Sequence, residues 1–147
     1  MSDKKKIDGK ALASDIRIKI KDFGKKLIHK TSKIPGLAVV LVGENPASKV
    51  YVRNKIEQTK EVGFNSIEHK LDESITENEL LNLILKLNND PKVQGILVQL
   101  PLPDHINSEK VLDKITPEKD VDGFHAKKCR RIMVWTKFTC PLHSSWL

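Results

Sequence analysis

Two short apolar runs constrain the fold of this chain more than any other feature. The first is LAVVLV, from Leu37 to Val42, and the second is VQGILVQLPLP, which closes on two prolines. Neither run alternates polar with apolar residues, which is typical of strands that are buried on both faces. Both are far too short to cross a bilayer. The chain is therefore expected to be an α/β protein, in a three-layer domain with a mostly parallel sheet.

The segments around these runs have helical or weaker strand patterns. Apolar residues recur at helical spacing in residues 9–29, which predicts an amphipathic helix. A second helix is expected to begin at Ser48, after a turn at Asn45-Pro46, and to end at Gly63. Thr76 followed by Glu79 is a capping-box pattern, which predicts the start of a third. A weak strand at 64–71 and a short helix at 107–115 complete the order αβαβαβα.

Charge and cysteine divide the chain into two parts. Of the formal net charge of +7, the last 22 residues contribute +5 without a single carboxylate, so residues 1–125 are nearly balanced at +2. Both cysteines, Cys129 and Cys140, also lie in that tail. We therefore expect a domain at 1–125 and an aberrant basic segment at 126–147. A balanced domain indicates no nucleic-acid partner, and the charged N-terminus, without an apolar stretch, indicates a cytoplasmic protein with no membrane partner.

A few polar residues follow the predicted strands, where ligands bind in open α/β sheets. Tyr51 and Lys55 lie four residues apart and hence on one helix face; such a lysine is most often solvated. Gln99 interrupts an apolar strand, so its amide is bound either by backbone or by a ligand. Asp120 and Asp122 precede Gly123, where aspartate commonly forms a turn, although a carboxylate there can also hold a ligand. The histidines have no metal-ligand spacing, so no metal site is expected.

The motifs NPASKVYVRNK, GILVQLPLP and PEKDVDGFH, in this order and spacing, resemble the bifunctional methylenetetrahydrofolate dehydrogenase/methenyltetrahydrofolate cyclohydrolase family. The resemblance covers about residues 7–125 and includes IDGKALA near the N-terminus. It implies the folate-binding N-terminal domain of that family. By the same resemblance the function is one-carbon folate metabolism, the interconversion of 5,10-methylene-, 5,10-methenyl- and 10-formyltetrahydrofolate.

The resemblance also implies a role for each candidate residue. Tyr51 would lie against the pterin ring, and Lys55 would be the catalytic lysine that assists hydration and opening of the methenyl bridge. Gln99 would hydrogen-bond Lys55, and Asp122 would hold the amino and ring N–H groups of the pterin. Lys55, Gln99 and Asp122 are thus the expected catalytic residues. The expected substrate-binding residues are these three together with Tyr51 and the two neighbours of Gln99, Val98 and Leu100.

The cofactor expectation rests on what the chain lacks. The family resemblance implies NADP, held by a second domain of Rossmann type, whereas the seven glycines here form neither G-x-G-x-x-G nor G-x-x-x-x-G-K-[ST]. No NADP site is therefore expected in this chain, and its dehydrogenase step is expected to be missing. The same absence excludes the short-chain dehydrogenases, which share Y-x-x-x-K. A non-catalytic folate-binding remnant or pseudogene product is the alternative, and the resemblance leaves a homodimer open.

The tail after His125 departs from the family pattern. One back-translation of residues 127–147, with a single adenine removed from the first lysine codons, gives KNAGELWFGQNLLAPCTPLG, which resembles the family's continuation. We therefore predict one extra adenine in the codons of Lys127 and Lys128. Sequencing the genomic DNA checks this prediction. An adenine run followed by PCTPLG in the adjacent frame is expected, and the absence of either contradicts it.

Overall fold

A computed structural model of the chain describes residues 8–125. The expectations for residues 126–147 lie outside the described residues, and the boundary at 125 stays a prediction. The elements in chain order are α1 (Gly9–Thr31), β1 (Gly36–Val42), α2 (Pro46–Glu61), β2 (Asn65–Leu71), α3 (Glu77–Asn89), β3 (Gly95–Val98) and α4 (Ser108–Lys114).

The strands within residues 8–125 form one parallel sheet in the order β2-β1-β3. Val40, in the central strand, is level with His69 on one side and Val98 on the other. Helices connect the parallel strands, as the crossover between parallel neighbours requires. The expected α/β class and the parallel sheet are therefore confirmed.

The central strand explains why its sequence is apolar throughout. Alternate side chains of β1 enter two different apolar clusters, one on each face of the sheet. On one face, Val40 packs in a cluster with Leu80 and Ile84 of α3. On the other, Val39 packs in a cluster with Val52 of α2. All five of these side chains are at most 1% exposed. Burial at this level contributes about 1.5–3 kcal/mol for each large aliphatic side chain.

Two predicted boundaries are wrong by a few residues. The second helix begins at Pro46 rather than Ser48, because the side chain of Asn45 caps it by accepting a hydrogen bond from Ser48 N at 3.1 Å. Proline suits the first helical position, where its missing N–H would have no partner. β3 covers only Gly95–Val98 of the second apolar run. The prolines beyond it have no N–H to continue a ladder.

The start of α3 follows the predicted capping box. Thr76 Oγ1 accepts a hydrogen bond from Glu79 N at 3.3 Å, and Glu79 Oε2 accepts one from Thr76 N at 2.9 Å. The two side chains thereby satisfy backbone donors at the helix start that have no partner inside the helix.

The apolar stripe of α1 is exposed rather than packed. Phe23 is 67% exposed and Leu12 57%, and Gly24 is the one buried residue of the helix. The helix approaches the rest of the domain closely at Gly24, where an added Cβ would lie 2.6 Å from the ring of Phe64. The amphipathic pattern was predicted, but no element within residues 8–125 covers its apolar face.

The contrast between α3 and α1 gives a matched test of this packing. We expect Ile84→Val to lower the free energy of unfolding by about 0.5–1.5 kcal/mol, because Ile84 is fully buried and the lost methyl leaves a cavity. Ile16→Val removes the same methyl from a side chain that is 47% exposed, so its effect should stay within about 0.5 kcal/mol. Urea denaturation measures both; equal losses would contradict the described core.

Candidate active site

The candidate residues meet where the parallel strands end. β1 leads into α2, which carries Tyr51 and Lys55, and β3 leads directly into Gln99. The loop after α4 returns to the same sheet, because Asp120 forms an isolated parallel bridge with Ile96 of β3. The carboxyl edge of a parallel sheet is the usual ligand site of this fold class.

Lys55 and Gln99 are in direct contact although 44 residues separate them. Lys55 Nζ donates a hydrogen bond to Gln99 Oε1 at 3.3 Å. Gln99 Nε2 donates to Leu100 O at 2.7 Å, and Gln99 N donates to Val40 O at 2.9 Å. The amide nitrogen is thus engaged by backbone, so the amide oxygen is turned toward the lysine. Of the two alternatives that the sequence left open for Gln99, the structure shows the contact with backbone, and it adds a contact with the side chain of Lys55.

Tyr51 lies one helical turn before Lys55 and is 63% exposed. Its ring therefore lies mostly outside the core. A largely exposed ring beside an amine gives a flat ligand a surface on which to stack.

The two aspartates have different roles. Asp120 is buried, with 5% exposure, and forms the turn: its Oδ1 accepts from Gly123 N at 3.0 Å and its Oδ2 from His125 N at 3.1 Å. Gly123 adopts a φ of +75°, which glycine tolerates without strain. Asp122 is exposed and its carboxylate makes no hydrogen bond within residues 8–125. Of the two alternatives for this pair, the turn applies to Asp120 and leaves Asp122 available.

The carboxyl of Asp122 has a pKa above its ordinary value of 3.8. The main cause is partial loss of hydration beside the surrounding loop. Lys55 opposes this by favouring the carboxylate, whereas the negative charge of Asp120 raises the pKa further. The influence of Lys55 shows that the carboxyl and the amine share one electrostatic environment.

The side chains of Val98 and Leu100 pack in the hydrophobic core. Val98 is 2% exposed and belongs to the cluster on the α3 face, and Leu100 packs partly buried against the same cluster. A ligand at this edge could therefore reach Val98 only through its backbone. Their assignment as substrate-binding residues stays a prediction.

Sequence reasoning missed the residue that anchors this loop. Lys119 Nζ donates to Leu87 O at 3.0 Å and to Asp90 O at 2.8 Å, which are carbonyls at the C-terminal end of α3. The only signal in the sequence was its place inside PEKDVDGFH, since a single lysine before two aspartates otherwise suggests a surface charge.

The raised pKa of Asp122 predicts a stability gain when the charge is removed. Between the ordinary and the raised pKa the folded chain binds more protons than the unfolded chain, so stability falls as pH rises through that window. At neutral pH the stability that the protonated carboxyl of Asp122 contributes is therefore fully lost. We expect Asp122→Asn to raise Tm slightly at pH 7, with a gain that shrinks as the pH approaches 3.8. Thermal unfolding across this range measures it; a lowered Tm at pH 7 would contradict the prediction.

Residues 8–125 offer neither a metal site nor a membrane span. That range contains no group of three or more metal-ligating side chains that could hold an ion. None of its helices is long and apolar enough to cross a membrane.

Comparison with known proteins agrees with this fold. Residues 7–122 match the family model for the tetrahydrofolate dehydrogenase/cyclohydrolase catalytic domain. The bifunctional protein FolD of Brucella ovis is 58% identical over 119 residues, which are 81% of this chain and 40% of that protein.

Two solved structures are similar as well. The bifunctional enzyme FolD of Campylobacter jejuni is 46% identical with a TM-score of 0.83, covering 86% of this chain and 45% of that one. The Trypanosoma brucei dehydrogenase-cyclohydrolase, solved with NADP cofactor and an inhibitor, is 34% identical with a TM-score of 0.77. That match covers 79% of this chain and 39% of the other.

The chain thus spans about 40% of the length of the curated relatives it matches. The resemblance stated from its motifs is confirmed: the chain belongs to the tetrahydrofolate dehydrogenase/cyclohydrolase family.

Proposed function

We propose that residues 8–125 bind a reduced folate at the carboxyl edge of the sheet. The chain would form the substrate-binding half of an active site that interconverts 5,10-methylene-, 5,10-methenyl- and 10-formyltetrahydrofolate. The observation that carries the proposal is the contact of Lys55 with Gln99 at 3.3 Å, in the electrostatic range of Asp122. A flat ligand with N–H donors at one end and a reactive carbon at the other suits this set of groups.

Orientation of the ligand would come from Asp122 and Tyr51. The carboxylate of Asp122 accepts hydrogen bonds from the amino and ring N–H groups of the pterin, a charge-assisted contact. The exposed ring of Tyr51 stacks on the pterin ring.

Lys55 would perform proton transfer at the methenyl bridge. In its amine form it removes a proton from the water molecule that attacks the bridging carbon. The resulting tetrahedral carbon then loses its bond to one ring nitrogen, which takes up the proton held by Lys55. The hydroxyl on that carbon gives its own proton to solvent as its C=O bond forms, which leaves a formyl group on the other nitrogen. Gln99 Oε1 accepts a hydrogen bond from Lys55 Nζ and thereby holds the lysine in place for this proton transfer.

Relatives carry out the dehydrogenase step with NADP or with NAD, and residues 8–125 do not fit the NADP that the motifs imply. The loop that leaves β1 contains one glycine, Gly43, and the side chain of Asn45 already caps α2. We therefore derive no step through NADP from these residues. The expectation that the whole chain lacks an NADP site stays a prediction, as do the cytoplasmic location, the absence of nucleic-acid and membrane partners, and a homodimer.

A titration with 5-formyltetrahydrofolate, a stable reduced folate, tests the proposal. We expect saturable binding by the whole chain, and none of comparable strength with NADP or with single-stranded DNA as controls. Binding of DNA in place of the folate, weakened by salt, would contradict the proposal and favour a basic-tail interaction. Folate binding without hydrolysis of the methenyl form would favour the non-catalytic alternative.

A further inference from the structure

We propose that Asp120 is a positioning residue that aims Asp122 at the ligand, acting with its neighbours Lys119 and Val121. The inference rests on the proposed function, because Asp122 is taken to be the group that holds the pterin. Each of the three residues before Asp122 has its side chain in a separate contact, and these contacts define the direction in which Asp122 leaves the loop.

Lys119 attaches the loop to the end of α3. Its ammonium donates to two carbonyls, Leu87 O and Asp90 O, at a helix C-terminus, where the helix dipole also favours a cation. Its own carbonyl accepts a hydrogen bond from Ile96 N at 2.7 Å. The backbone is therefore tied to β3 and to α3 immediately before the aspartates.

Asp120 closes the turn around Asp122. Each carboxylate oxygen accepts from a different backbone N–H, that of Gly123 on one side and that of His125 on the other. The two donors follow Asp122 in the chain, and Asp120 precedes it. Asp122 thus lies inside a turn that the buried Asp120 carboxylate holds closed. Asparagine at position 120 cannot make the same pair of hydrogen bonds, because its amide has only one acceptor oxygen.

The third contact is that of the Val121 side chain with β3. Its Cγ1 lies so close to Gly95 that a Cβ added there would be 2.6 Å away. The side chain of Val121 therefore lies across β3 at a point where only glycine leaves room. With Asp120 turned inward and Val121 over Gly95, the carboxyl of Asp122 comes within the electrostatic range of Lys55.

A double-mutant cycle with 5-formyltetrahydrofolate tests this inference. We expect Asp120→Asn to weaken binding by on the order of tenfold, since the turn loses one of its two acceptors. In an Asp122→Asn background the same change should weaken binding hardly at all, because the residue it positions is already lost. Equal losses in both backgrounds would overturn the proposal, since a general loss of fold acts in either background. Asp113→Asn, which removes a negative charge from the exposed face of α4, is the control and should bind normally.

A second readout does not depend on the folate. Among residues 8–125, the charges that act on Asp122 are those of Lys55 in α2 and Asp120 in the same loop, so the side-chain ¹³C signal of Asp122 can be titrated in each variant. We expect Asp120→Asn and Lys119→Met each to move that titration, the first downward because a neighbouring negative charge is removed. An unchanged titration in both variants would overturn the positioning role even if the chain binds folate. A changed titration in a chain without folate binding would instead place the failure with the proposed function.

Discussion

Replacing Lys55 with methionine is expected to slow the hydrolysis of 5,10-methenyltetrahydrofolate by the chain at least about a hundredfold. Methionine keeps the length and apolar stem of the side chain but cannot exchange a proton with water. The half-buried position of Lys55 and the anchored amide of Gln99 should stay as they are, so Tm should change little. Loss of the near-ultraviolet absorbance of the methenyl form measures the rate.

Lys60→Met is the matched control for that experiment. Lys60 is exposed on the same helix, about one and a half turns further on. Its substitution should leave the rate within twofold of the unmodified chain. A Lys55→Met chain that hydrolyses at the full rate would contradict the assigned role. A rate equal to that of buffer in every variant would favour the binding-only alternative.

Asp122→Asn is expected to weaken binding of 5-formyltetrahydrofolate by about 10-fold to 150-fold. A hydrogen bond to a charged group contributes about 1.5–3 kcal/mol, and asparagine would present a donor where the pterin also has donors. The same variant is expected to gain stability, so the effects on binding and on Tm have opposite signs. Such a pair of effects is typical of a residue kept for function at a cost to the fold.

Calorimetric titration measures this loss of affinity. Asp113→Asn, an exposed aspartate on α4, removes the same charge away from the site and should bind with unchanged affinity. Equal weakening in the two variants would point to a long-range effect of net charge rather than to a contact with the ligand.

Much of the fold could be predicted because its sequence signals are local. The strand of Leu37–Val42 is apolar throughout for the reason the pattern suggested, since both of its faces are covered. The capping box at Thr76 depends on two side chains three residues apart and was predictable for the same reason. The start of α2 was misplaced because Asn45 was assigned to a turn, although asparagine before proline also suits a helix cap.

The site was predictable in part. Tyr51 and Lys55 share a helix face by spacing alone, but their partner Gln99 is 44 residues from Lys55, and only the family resemblance connected them. Spacing could not separate the roles of Asp120 and Asp122. That distinction depends on which carboxylate meets the N–H groups of Gly123 and His125, and the sequence does not show this.

The central claim is that a reduced folate binds at the carboxyl edge of the sheet. It is tested most directly by mapping amide ¹H–¹⁵N shifts as 5-formyltetrahydrofolate is added to the whole chain. We predict the largest saturable changes in the segments around Tyr51, Gln99 and Asp122. Saturable changes confined to the open groove on α3 near Asn82 and Asn89, with these three segments unmoved, would contradict the account.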